Sequence, residues 1–225
     1  MQRTEPVAAD LLIEVCCARQ QCARQQCIRQ QPAYFADDYG VYMTIVLLAR
    51  CGLRNSEPRR LKCHDYNSLE KTIYIAKTKF SKDRLIPVPE NTCVDIDNYL
   101  SLRRTLIKNK NPYLLCGYKN RAISKNRIYP MFNHAVKTIG LDQPKRIVAN
   151  TTFGRPTPHS LRHSFAINTL KSIKQRGRSP QHALPVLSAY LGHRKYRYTA
   201  AYLKFLDAEH RQGLVDFAIE RQEEI

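Results

Sequence analysis

The sequence predicts an α+β fold, mainly helical, with one small antiparallel β-hairpin. Three observations lead there. Most of the chain reads as capped helical stretches, with Thr157-Pro158 and Ser124 at helix starts and Gly192 at a helix stop. Only one stretch, Lys71 to Pro89, changes to short β-branched runs, TIYIA and RLIPV, separated by the polar KTKFSKD. A chain of 225 residues with 43% apolar content is long enough to bury one sizeable core.

Taken in order, residues 8–31 read as a helix carrying the near-repeat CARQQ, CARQQ, CIRQQ. A period of five does not follow the 3.6-residue turn, so Cys17, Cys22 and Cys27 drift around the helix and form no metal-binding stripe. Pro32 closes that segment, and Asp37 to Cys51 forms a strongly apolar helix suited to burial, ended by Gly52. Ser56 stands where it caps a short helix whose first turn tolerates Pro58. After the hairpin, Asn91 to Lys108 is an amphipathic helix with a basic end, and Ser124 opens a helix to Ile139 that Gly140 closes. Residues 142–156 read as an irregular basic linker. Thr157-Pro158 then starts a helix through His159, Arg162 and His163; an apolar run from Leu184 to Leu191 stops at Gly192, and Thr199 reads as the N-cap of a helix bearing Tyr202. From Asp207 on, six acidic residues stand against two arginines on a terminal helix with Leu214, Phe217 and Ala218 along one side. The expected organisation is a helical appendage (1–35), a main domain (36–206) and an acidic helix (207–225).

The net charge of +18 and pI near 9.8 exceed what solubility requires and point to a polyanion partner. No continuous apolar run is long enough to span a bilayer and no signal peptide is visible, so nucleic acid in the cytoplasm is favoured over an anionic membrane. The eight cysteines are then expected as reduced thiols. Basic side chains offered to a nucleic-acid backbone fall into groups: Arg59 and Arg60, Lys82 and Arg84 on the hairpin, Lys119, Arg121, Lys125 and Arg127 around Ser124, and Lys174, Arg176 and Arg178 in the loop KSIKQRGRSPQ.

His159 and Arg162, three residues apart, project from one face of a first helical turn whose dipole favours an anion. His193 follows a helix end, and Tyr202 lies nine residues beyond it. The string HSLRHSFA, then YLGH, then that tyrosine resembles the C-terminal signature of the tyrosine recombinase (phage integrase) family, of the short fimbrial-switch or transposon-associated kind. Arg54 in CGLRNSEPRRL, with Glu57 three residues later, is similar to the family's first arginine motif. Lys79 in KTKFSKDRLIPVP resembles the lysine of its β-hairpin, with Lys82 as a competitor. The likeness spans roughly residues 36–206 and implies the family's mainly helical catalytic domain.

The resemblance implies site-specific DNA strand exchange. Arg54 and Arg162 would clamp the phosphodiester through paired hydrogen bonds, His159 and His193 would donate hydrogen bonds or handle protons, and Tyr202 would attack phosphorus to give a 3′-phosphotyrosyl protein. Lys79 would protonate the leaving 5′-oxygen. No metal or other cofactor is needed, and the terminal helix would dock on a neighbouring protomer, in a tetramer on double-stranded DNA. Glu57 is placed to orient the Arg54 guanidinium. Family members usually carry a further N-terminal domain that closes around DNA, whereas about thirty-five residues precede the core here, which keeps open a recombinase remnant that only binds DNA. Topoisomerase-like relaxation would use the same tyrosine. The HxxxH pair His159 and His163 lacks the glutamate of a metallohydrolase.

Overall fold

The structure is a computed structural model describing residues 10–18, 32–76, 83–107, 111–117, 121–144, 146–148, 151–204 and 206–207. It is mainly helical with a three-stranded antiparallel sheet, as the sequence predicts. The chain divides into two compact units, with the division falling after Phe165.

The first unit begins with α1 (residues 10–18), which buries Leu12, Ile13 and Cys16; the rest of the cysteine repeat lies outside the described residues. Helix α2 (Pro32–Arg50) is the core element. It starts at Pro32 rather than at Asp37, because a proline in the first turn gives up an amide that has no intrahelical partner. Its run from Val41 to Leu48 has almost no exposed surface, which is why it is apolar all round. Helices α3 (Glu90–Leu106) and α4 (Lys125–Thr138) pack on it. Tyr99 of α3 and Phe132 of α4 are fully buried. Gly40 permits a close approach: a Cβ there would sit 2.7 Å from Ile123 Cδ1 and 3.1 Å from the Cys116 carbonyl oxygen.

Strands β1 (Tyr66–Asn67), β2 (Thr72–Ile75) and β3 (Arg84–Pro87) form the antiparallel sheet, with Ile73 opposite Ile86 and Ile75 opposite Arg84. Alternation puts Ile73, Ile75 and Ile86 inside and Tyr74 and Leu85 outside. The hairpin expected between Lys71 and Pro89 is thus present, widened by a two-residue strand too short to carry a sequence period. The last turn of α3 is held by Arg103, whose guanidinium donates to the carbonyls of Asn111, Tyr113 (2.6 Å) and Leu114 (3.0 Å).

Two expectations in this unit are corrected. Residues 55–60 form successive turns, not a short helix capped by Ser56; consecutive Glu57-Pro58 and two arginines leave it too short to propagate. Residues 142–156 contain a second hairpin, β4 (Arg146–Val148) with β5 (Thr151–Phe153), instead of an irregular linker.

Helix α5 (Pro158–Gln175) straddles the division. Its start is held by Thr157, whose carbonyl accepts from the Ser160 amide while its amide donates to Ser160 Oγ, half of a capping box. The second unit contains α6 (Pro180–Leu191) and α7 (residues 197–204). Gly192 closes α6 in the left-handed conformation, φ 63° and ψ 45°, as predicted. Thr199 does not cap α7. It lies inside the helix with its side chain buried. The acidic segment expected as a terminal helix lies outside the described residues from 208 on.

Candidate active site

In the first unit, the end of α2 and the start of α5 build one cationic corner. Gly52 turns the chain with φ +59°, and Phe165 packs so close that a Cβ there would lie 2.3 Å from its ring. The turn does two things. It points the Gly52 carbonyl at Arg162, which donates to it from Nη1 at 2.7 Å, and it presents Arg54 two residues later. Arg162 is 1% exposed, so its cation is held inside the protein by the backbone of the first arginine motif.

Arg54 is fixed by Glu57 as expected: its amide donates to Oε2 at 2.7 Å and its Nη1 to Oε1 at 3.0 Å. The sequence did not reveal that Glu57 serves a second arginine. Arg84 of β3 donates from Nη1 to Oε1 (3.0 Å) and from Nη2 to Oε2 (2.8 Å), a paired contact between side chains that are 9% and 7% exposed. Burial works to push the Glu57 carboxyl up, but the bonds and charges of Arg84 and Arg54 outweigh it and hold the group below the usual carboxylate range. Glu57 is therefore an anion that cancels one of its two cations. A cleft of about 680 Å³ opens beside this network, lined by Arg54, Glu57, Arg60, Lys62, His64 and Ile75 among others.

On successive turns at the start of α5, His159 and His163 meet edge to face with ring centroids 4.8 Å apart. His159 is the more exposed, yet partial desolvation and then the Arg162 and Arg54 charges lower its pKa. His163 is driven further, to about 4, by desolvation first and by His159 and Arg162 after it. His163 is therefore neutral at pH 7, and His159 is shifted in the same direction. Arg54, His159 and Arg162 are thus brought into one neighbourhood within the first unit.

In the second unit, half-buried His193 follows Gly192, with its ring stacked near that of Tyr202 (6.3 Å between centroids, 28° between planes) and edge-on to Tyr198 at 6.3 Å. Its Nδ1 lies 2.8 Å from Thr199 Oγ1. Tyr202 is 3% exposed, whereas Tyr196 and Tyr198 are about half exposed. Thr199 was missed as a partner of His193 because its position before Tyr202 reads equally well as a cap.

The basic residues sort by their partners. Lys79, Lys82 and Lys119 lie outside the described residues. Arg84, expected among the residues offered to nucleic acid, pairs with Glu57. Arg59 donates to the Ile123 carbonyl at 2.8 Å, and Arg127 pairs with Asp37 at 3.0 Å and with Asp38, so both tie elements of the fold together. Lys125 lies over the Tyr129 ring at 5.3 Å. Arg60, Arg121, Lys174, Arg176 and Arg178 are exposed. Among the described residues no group of three or more His, Cys, Asp or Glu is gathered to hold a metal ion, and Cys16, Cys17, Cys51, Cys63, Cys93 and Cys116 are thiols.

One unit thus carries an arginine corner with a histidine one turn before the second arginine, and the other carries a histidine–tyrosine pair after a glycine cap, in the chain order that marks a class. Residues 10–209 match the phage integrase family model, and the chain belongs to that family, the tyrosine recombinases. An integrase/recombinase of Sinorhizobium fredii is 34% identical over 154 residues, covering 68% of this chain and 47% of that protein. Tyrosine recombinase XerA of Pyrococcus horikoshii is 29% identical over 182 residues, covering 80% and 55%. Among solved structures, XerH site-specific recombinase bound to its difH substrate superposes with a TM-score of 0.63 at 20% identity, over 90% of this chain and 50% of that one, and shows the shared fold. The chain spans about half the length of the curated relatives it matches.

Proposed function

We propose that this chain is the catalytic domain of a site-specific DNA recombinase that cuts and rejoins strands through a 3′-phosphotyrosyl intermediate. The observation that carries this reading is the Gly52 carbonyl holding the buried Arg162 guanidinium, with the Glu57-anchored Arg54 two residues further on and both charges acting on His159. Two fixed, permanently charged guanidiniums suit the nonbridging oxygens of a phosphodiester, whose negative charge grows in the transition state.

Tyr202 attacks phosphorus through its phenolic oxygen, releasing its proton to solvent water as the P–O bond to the 5′-oxygen breaks. Lys79, or Lys82 as its competitor, gives that oxygen a proton, leaving a 5′-hydroxyl. The new phosphotyrosyl ester conserves the bond, so a different 5′-hydroxyl can attack it and restore DNA without a nucleotide cofactor. His159 and His193 hydrogen-bond the phosphate. Arg60, Arg121, Lys174, Arg176 and Arg178 supply backbone contacts that position the duplex without reading sequence. Assembly as a tetramer on DNA, through the acidic terminal segment, would bring two sites to exchange. No helix among the described residues is long and apolar enough to cross a membrane.

The test uses duplexes carrying candidate recombination sites with a nick that traps the covalent product. Wild-type protein should form a 3′-linked protein–DNA adduct, Tyr202→Phe none, and Arg162→Ala an adduct slowed by about 100- to 1,000-fold, as for loss of one preorganised donor. DNA binding without an adduct under all conditions would identify a binding protein only.

A further inference from the structure

His193 has one of its two ring nitrogens committed inside its own unit. Its Nδ1 faces Thr199 Oγ1 at 2.8 Å, and Thr199 has no exposed surface. Among the described residues that nitrogen is the hydroxyl's only hydrogen-bond partner; the Thr199 amide is separately satisfied by the Tyr196 carbonyl at 2.9 Å. For a neutral ring, two proton arrangements fit the distance. If Nδ1 carries the imidazole proton, the threonine oxygen accepts it and the buried hydroxyl hydrogen has no acceptor among the described residues. If the hydroxyl donates, Nδ1 is the acceptor, the buried hydroxyl hydrogen is used, and the remaining N–H belongs to the half-buried ring. Buried donors left unmade are strongly disfavoured, while an unused lone pair is tolerated, so the second arrangement prevails. A neutral imidazole whose Nδ1 accepts must carry its proton on Nε2.

We propose that Thr199 is a positioning residue that locks His193 as the Nε2–H tautomer, making this imidazole a hydrogen-bond donor and not the base that receives the Tyr202 proton. The stack on Tyr202 and the edge contact from Tyr198 hold the ring plane while Thr199 sets which nitrogen is protonated. Helix α7 is what joins the two: three residues separate Thr199 from Tyr202, so both face the same side, toward His193. The phenol's proton must then leave by another route. The catalytic meaning of this lock rests on the recombinase reading; the lock itself does not.

The full chain labelled with nitrogen-15 at histidine, with the His193 signals assigned by comparison with His193→Gln, reads the tautomer directly. Wild type and Thr199→Ser should show protonated Nε2 and unprotonated Nδ1, and Thr199→Val, isosteric but without the hydroxyl, should shift toward Nδ1–H. On nicked-site DNA the valine variant should form adduct roughly 10- to 100-fold more slowly, short of losing a whole proton-handling group, with unchanged DNA affinity, and serine should restore the rate. A wild-type Nδ1–H tautomer, or a valine variant with wild-type tautomer and rate, overturns the proposal. If the tautomer shifts as expected but wild type itself forms no adduct, the recombinase reading fails and the lock stands.

Discussion

Glu57 is the residue on which the candidate site depends most. It is buried and accepts from two guanidiniums, and taking away one member of such a pair leaves buried cations uncompensated. Glu57→Gln should lower unfolding stability by about 3 kcal/mol, read from urea midpoints at constant m-value, and should slow adduct formation as Arg54 loses its anchor. Acid acts on the same corner from two directions. Glu57 has a depressed pKa, so its contribution is complete above the ordinary carboxylate value of 4.5 and disappears as pH falls through its folded value. His163 has a folded pKa of about 4 against an ordinary 6.5, so the unfolded chain binds the extra proton between those values and stability declines as pH falls from 6.5 to 4. Thermal midpoints should drop across that window, and His163→Gln should flatten the upper part of the fall while leaving the carboxylate part.

At the scale of elements, the chain's caps and stops carry much of the architecture, and they are local enough to be read from sequence. Ser124 accepts from the Asn126 amide at 3.3 Å, and Ser124→Ala should cost about 1 kcal/mol, seen as a shifted urea midpoint. Arg103 could not be read that way. Its basic position near the end of α3 suggests a solvated charge, yet it is 8% exposed and donates to three carbonyls of the 111–114 segment. Arg103→Met should cost at least about 2 kcal/mol, because methionine fills the volume and leaves those carbonyls without donors. The same division explains what was missed elsewhere. Hairpin β4–β5 was hidden because three-residue strands offer no countable alternation. The Arg84–Glu57 pair joins residues 27 apart through sheet packing, which no local pattern encodes. The short helix expected after Ser56 failed because a cap residue does not create a helix where the following residues cannot sustain one.

For the whole molecule, the order of the motifs identified the family: Arg54 and His193 follow helix-ending glycines and His159 opens α5, while Arg162 and Tyr202 lie within helices at a fixed spacing from those landmarks. Their environments were not legible: Arg162 is buried and Tyr202 is nearly so, although both residue types usually reach the surface. The net charge of +18 acts at this scale as well. If the chain neutralises six to ten phosphates, its affinity for duplex DNA should fall by roughly 10³–10⁵ between 50 and 200 mM salt, as measured by fluorescence anisotropy. A much flatter dependence would mean that most of the excess charge faces away from DNA. The hold on Arg162 has a further consequence for variation. Its acceptor is a main-chain oxygen, an atom every amino acid supplies, so no exchange at position 52 can delete it. A saturation library at that codon should therefore rank by bulk and by tolerance of the left-handed turn, with polarity nearly irrelevant and alanine already impaired by the Phe165 ring.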